Sequence, residues 1–165
     1  MTARKTPQLA LRLDAAAPAA DARWCAGGQV DYLGERLTLV LDTACRLPER
    51  VGPELHLPLP PAASPRQIRD TAESWLRDEA LRLFNTLLQK SMTAGAPRGA
   101  PAGRLPLRIV LVFGKRGDWA KPEGDVLRCH WRLVEQPEAV IAQVLARAQA
   151  EAAVAPRCDD LFALG

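Results

Sequence analysis

The sequence predicts an α+β fold: a small mixed or antiparallel sheet, a long central helix and a second, C-terminal helix. Three observations carry this. Apolar and polar side chains alternate around Gly34 over residues 29–42, a capped apolar stripe at helical spacing runs over residues 64–90, and alternation returns over residues 107–134 ahead of a proline-led helix.

Residues 1–28 are expected to form a flexible N-terminal segment, with a short strand at residues 9–13 and an Ala-rich spacer at residues 15–22. The unit VDYLGERLTLVLD then reads as a hairpin, with strands at residues 29–32 and 36–42, and Glu54 to Leu57 adds a third strand that the prolines of LPLPP stop. Ser64, Pro65 and Gln67 make a capping box with proline at the first helical position. From there Ile68, Ala72, Trp75, Leu76, Leu83, Leu87 and Leu88 recur at helical spacing, and the helix is expected to end near Lys90. Trp75 and Phe84 are read as packing residues.

The Gly, Ala and Pro content of residues 93–104 predicts a mobile loop between two halves of the domain. A strand follows at residues 107–113, then a turn over GKRGDWAKPEG, then a strand over residues 125–134. That last strand would place Leu127, Cys129, Trp131 and Leu133 on one face and Arg128, His130 and Arg132 on the other. Pro137 opens the second helix, whose packing residues are Val140, Ile141, Val144, Leu145 and Ala148 and which Pro156 stops.

Composition narrows the function classes. The chain has 165 residues, a charged fraction of 25% and a hydrophobic fraction of 48%, which suit one ordinary globular domain. No apolar run approaches the roughly 18 residues of a membrane span, and the N-terminus lacks an uninterrupted apolar stretch, so a cytoplasmic location is expected. Cys25, Cys45, Cys129 and Cys158 form no C-x-x-C pair and read as reduced thiols. The net charge of +3 permits an acidic partner without requiring one.

Trp119, then His130-Trp131-Arg132-Leu133, then Pro137 opening VIAQVLARAQAEAA, stand in an order that resembles the YgjP-like metallopeptidases. In that family a Trp-Gly-Ser-Cys motif leads into a strand ending in Asn-Trp-Arg-Leu, and a proline then opens a helix carrying the H-E-x-x-H zinc motif. Upstream, YLGERLTLVLD and the segment from Glu54 through Phe84 are similar to the family's hairpin and long helix. The resemblance spans residues 29–165 and implies a zincin-like fold, zinc as cofactor and metal-dependent hydrolysis.

Carried over residue by residue, the motif is absent. Arg147 stands for the first His, Ala148 for the Glu, Glu151 for the second His, and Arg157 for the downstream ligand. A guanidinium is always charged and repels a divalent cation, whereas Arg147 and Glu151 are one helical turn apart and suit an ion pair. The family's Gly-Ser-Cys is replaced by Ala120-Lys121-Pro122, and the only two histidines are His56 and His130. The resemblance therefore implies a degenerate member without zinc or other cofactor, catalytic residues none.

Two other site candidates come from the residues themselves. Lys115 and Arg116, between two glycines, read as an anion-binding turn, and Arg128, His130 and Arg132 read as a basic strand face for a small anionic ligand. With few aromatics to stack bases, nucleic acid is disfavoured as a partner, and no membrane is involved. The function expected is a binding or regulatory pseudoenzyme that takes a protein or small anionic ligand. The alternatives are a hydrolase with a rebuilt site, acting on peptides or nucleotides, and an anion or nucleic-acid binding module.

Overall fold

The protein, a computed structural model, is described over residues 23–94, 108–114 and 118–154. It is an α+β fold of two mixed sheets and two helices. The first sheet has β1 (Gln29–Tyr32), β2 (Glu35–Leu41), β3 (Glu49–Val51) and β4 (Glu54–Leu57) in the order β1-β2-β4-β3. Strands β1 and β2 form the antiparallel hairpin, β2 and β4 run parallel, and β3 pairs antiparallel with β4. The second sheet has β5 (Arg108–Val112), β6 (Ala120–Glu123) and β7 (Val126–His130) in the order β5-β7-β6. Its β5 and β7 are parallel, while β6 and β7 are antiparallel.

Helix α1 (Pro65–Ala94) starts where its capping box directs. The Ser64 N–H donates to Gln67 Oε1 at 2.9 Å, and the Gln67 N–H donates back to Ser64 Oγ at 3.3 Å. Its buried stripe is Ile68, Ala72, Leu76, Ala80, Phe84 and Leu88, every fourth residue. Ala80 and Phe84 complete this line, and Trp75, Leu83 and Leu87 flank it half-buried. The helix passes the expected end at Lys90, so Thr93 and Ala94 belong to it. The rest of the loop expected over residues 93–104 lies outside the described residues, as does the strand expected at residues 9–13.

Four sequence expectations are corrected. Packing begins before Gln29, because Trp24 is buried and the Gly27 N–H donates to the Leu39 carbonyl at 2.8 Å. Strand β3 was not foreseen; it is three residues long and wholly exposed, so no buried face marks it. The segment Ala120–Glu123, read as turn, is the edge strand β6, where Pro122 is tolerated because an edge strand leaves one side unpaired. The strand expected through residue 134 stops at His130, and Trp131–Glu135 is a 3₁₀ turn. Trp131 and Val134, three residues apart and so on one face of the 3₁₀ turn, are buried, and Leu133 is buried as well.

Helix α2 (Glu138–Val154) follows, with the Pro137 carbonyl accepting from the Ile141 N–H at 3.1 Å. It buries Ile141, Leu145 and Ala148, leaves Val144 half-buried, and exposes Val140, which the sequence had assigned to the packing face. Helix α1 packs on β4, β5, the 3₁₀ turn and α2, and α2 packs on β6. One hydrophobic cluster thus joins the inner faces of both sheets, with fully buried Phe84, Leu39, Leu57, Leu127 and Leu133 each contributing about 1.5–3 kcal/mol by leaving water.

The hairpin tip locks the halves together. Leu33 and Gly34 both have positive φ, 52° and 79°, the two-residue turn that matches strand twist. Their N–H groups donate to Val134 O at 2.9 Å and Glu135 O at 3.0 Å, which seats the tip on the 3₁₀ turn. A Cβ on Gly34 would stand 2.8 Å from Pro137 Cγ, so only glycine fits.

Candidate functional site

The positions that the family resemblance singled out on α2 do not converge. Arg147 and Glu151 stand on the outside of the helix, where Arg147 Nε meets Glu151 Oε1 at 3.1 Å with side chains 82% and 52% exposed. Ala148, by contrast, lies in the core beside Ile141 and Leu145. One position supplies a cation and another supplies no donor atom, so these residues do not fit zinc. Among the described residues no group of three His, Cys, Asp or Glu is arranged to hold a metal ion. Arg157 lies outside the described residues, as do Lys115, Arg116 and Cys158.

Around Trp119 and His130 the motif residues do come together. The His130 N–H donates to the Trp119 carbonyl at 2.9 Å, and the two rings meet edge to face at 5.9 Å. His130 Nδ1 accepts from the Arg132 N–H at 3.2 Å, capping the 3₁₀ turn, and Nε2 lies 2.6 Å from the Gly114 carbonyl. A neutral ring with its hydrogen on Nε2 satisfies both contacts. His130 is thus a structural side chain that ties β7 to the end of β5.

The basic strand face is corrected. Because the strand ends at His130, Arg132 turns away: its guanidinium stacks over Trp131 at 5.1 Å and reaches Glu135 at 3.7 Å. Glu135 is held above the usual carboxylate range mainly by burial, with Arg132 opposing that shift. Arg128 stays on the outer face but bonds Glu123 at 2.9 Å, which pulls that carboxyl down. The positive face is therefore largely neutralised.

What the outer face of the second sheet presents is an open cleft of about 630 Å³, lined by Phe113, Gly114, Asp118, Lys121, Arg128 and His130 among others. Phe113 is 61% exposed at its rim. Lys121, in β6 opposite Arg128, forms no ion pair among the described residues, although its charge helps to lower Glu123. Sequence reasoning had missed Lys121 and Phe113 because the segment between them read as a turn. The rim is braced from below by Arg77 of α1, whose guanidinium lies between Phe113 at 5.5 Å and Trp131 at 5.2 Å and bonds Glu73 at 2.7 Å.

Cys129 does not make a catalytic dyad with His130. Cys129 and His130 point to opposite faces of β7, and burial pushes the Cys129 thiol up to about 12, so the reactive thiolate is suppressed. On the first sheet, Asp42, Glu54 and His56 gather on the outer face; alternation along β4 could have disclosed Glu54 beside His56, while Asp42 arrives through the pairing of β2 with β4. No family model matches the chain, and neither a curated protein nor a solved structure does.

Proposed function

We propose that the chain is a degenerate YgjP-like metallopeptidase-type domain, zincin-like in frame, that binds a ligand and hydrolyses nothing. The observation that carries this reading is the pairing of Arg147 with Glu151 on the solvent side of α2, at the positions where the family places its zinc histidines. A second support is His130, which stands where the family has Asn: both residues accept a hydrogen bond from a backbone N–H and so can cap the turn that follows. The order of hairpin, long helix, strand pair and C-terminal helix fits the same frame.

The ligand site we assign is the cleft on the second sheet, whose volume lies within the roughly 300–1,000 Å³ of small-molecule pockets. Lys121 offers a cation to a single anionic group, and the exposed Phe113 ring offers an apolar wall. Asp118 and Glu123 on the same lining disfavour a polyanion such as nucleic acid. A cytoplasmic location suits Cys45 and Cys129, both free thiols.

Elemental analysis and hydrolysis assays with a generic peptide and a nucleoside triphosphate test the first statement. No stoichiometric zinc and no turnover are expected. About one zinc per chain, or turnover that Arg147→Ala abolishes, would favour a hydrolase with a rebuilt site instead. For the cleft, inorganic phosphate is expected to shift the amide resonances of Lys121 and His130 in the wild type and not in Lys121→Ala.

A further inference from the structure

His56 lies on the outer face of the first sheet, apart from the cleft, and both of its ring nitrogens face a carboxylate. Nδ1 is 3.3 Å from Asp42 Oδ2, and Nε2 is 3.1 Å from Glu54 Oε2. A neutral imidazole has one N–H and one lone pair, and an ionised carboxylate has no proton to give to that lone pair. Only the imidazolium can make both contacts hydrogen bonds. Glu49 of β3 stands directly opposite His56 in the ladder, and Arg50 beside it is turned away to Glu35. The groups around the ring are thus Asp42 just after β2, Glu49 of β3 and Glu54 of β4, with the Cys45 thiol in the adjoining turn.

Asp42 is also the keystone of that turn. Its Oδ1 accepts from the Ala44 N–H at 2.8 Å, its carbonyl accepts from the Cys45 thiol at 3.0 Å, and its own N–H donates to Leu57 O at 2.8 Å. The geometry points to His56 as a proton-operated latch: charged, it clasps Asp42 and Glu54 and holds the turn after β2 against β4; neutral, it releases Asp42 and the turn loosens. The sign follows from the two partners. Hydrogen bonds to Asp42 and then Glu54 raise the His56 pKa above its ordinary value, so its contribution is complete below the unfolded-state pKa and is lost as pH rises through the folded one. Asp42, lowered by the Ala44 N–H first and by His56 next, contributes above its unfolded pKa and loses this as pH falls through its folded one. The latch is closed between those two limits. Since His56 is 21% exposed and Asp42 35%, salt weakens it.

The test is an NMR titration from about pH 5 to about pH 9, spanning the ordinary histidine range. The His56 ring resonance, identified by its loss in His56→Gln, is followed together with the Ala44 amide. A His56 midpoint above about 6.5, shared by the Ala44 amide and lowered by Asp42→Asn and by Glu54→Gln, supports the latch. The melting-temperature advantage of wild type over His56→Gln should vanish as pH passes that midpoint. A midpoint at or below the ordinary value, an Ala44 amide that ignores it, or an advantage that does not change with pH overturns the proposal. Should His56→Gln fail to fold, the His56 resonance is identified as the one retained in His130→Asn, since the chain has two histidines, and its midpoint must still fall in Asp42→Asn.

Discussion

Arg147 and Glu151 hold each other 3.1 Å apart on the outside of α2, one turn apart, while Ala148 between them faces the core. An exposed i, i+4 pair of this kind stabilises by about 0.3–0.5 kcal/mol. Arg147→Ala is therefore expected to leave the chain folded, with a denaturant midpoint nearly unchanged.

Rebuilding the zinc motif separates the two faces of α2. Arg147→His with Glu151→His changes only the solvent side, and the double variant should fold. Adding Ala148→Glu places an unpaired carboxylate among Ile141 and Leu145, and the triple variant should lose about 3 kcal/mol or unfold. Urea denaturation of the double and triple variants checks this; equal stability would show that α2 can rotate.

Core burial along α2 sets a graded series. Ile141 is fully buried and Val144 only partly, so Ile141→Ala should cost about 2–4 kcal/mol and Val144→Ala distinctly less. Calorimetric melting of the two variants measures the order.

At the hairpin tip, Gly34→Ala meets both a positive φ of 79° and the Pro137 ring. A destabilisation of about 1–3 kcal/mol is expected from the strained backbone and the clash. Gly52→Ala, also at positive φ but with open space around it, should cost less.

Tyr32 is the only tyrosine in the chain, so alkaline absorbance reports it alone. Burial first, and then the hydrogen bond it donates to Glu79 at 2.9 Å, pushes its pKa up to about 12. The neutral phenol is favoured in the folded state, and its contribution is complete below the unfolded value near 10 and is lost as pH rises through about 12. Tyrosinate absorbance should therefore appear late in the folded protein, and Glu79→Gln should bring it earlier.

Local signals alone determined much of this protein. The capping box placed the start of α1, alternation with Gly34 placed the hairpin, Pro137 placed α2, and the absence of any histidine after His130 left the zinc motif without its histidines. Each depends on residues a few positions apart, whose periodicity the backbone itself dictates. Tertiary structure decided the rest. Strand β3 carries no buried face, and Pro122 hides β6 as a turn, so only pairing with β4 and β7 reveals them. Arg132 left the basic face because His130 caps a turn that ends the strand, and Arg128 lost its free charge to Glu123. His56 gained its second carboxylate because the parallel pairing of β2 with β4 carries Asp42, 14 residues away in the chain, to its side. Charge balance and clasped side chains depend on which strands become neighbours, and one-dimensional spacing does not encode that adjacency.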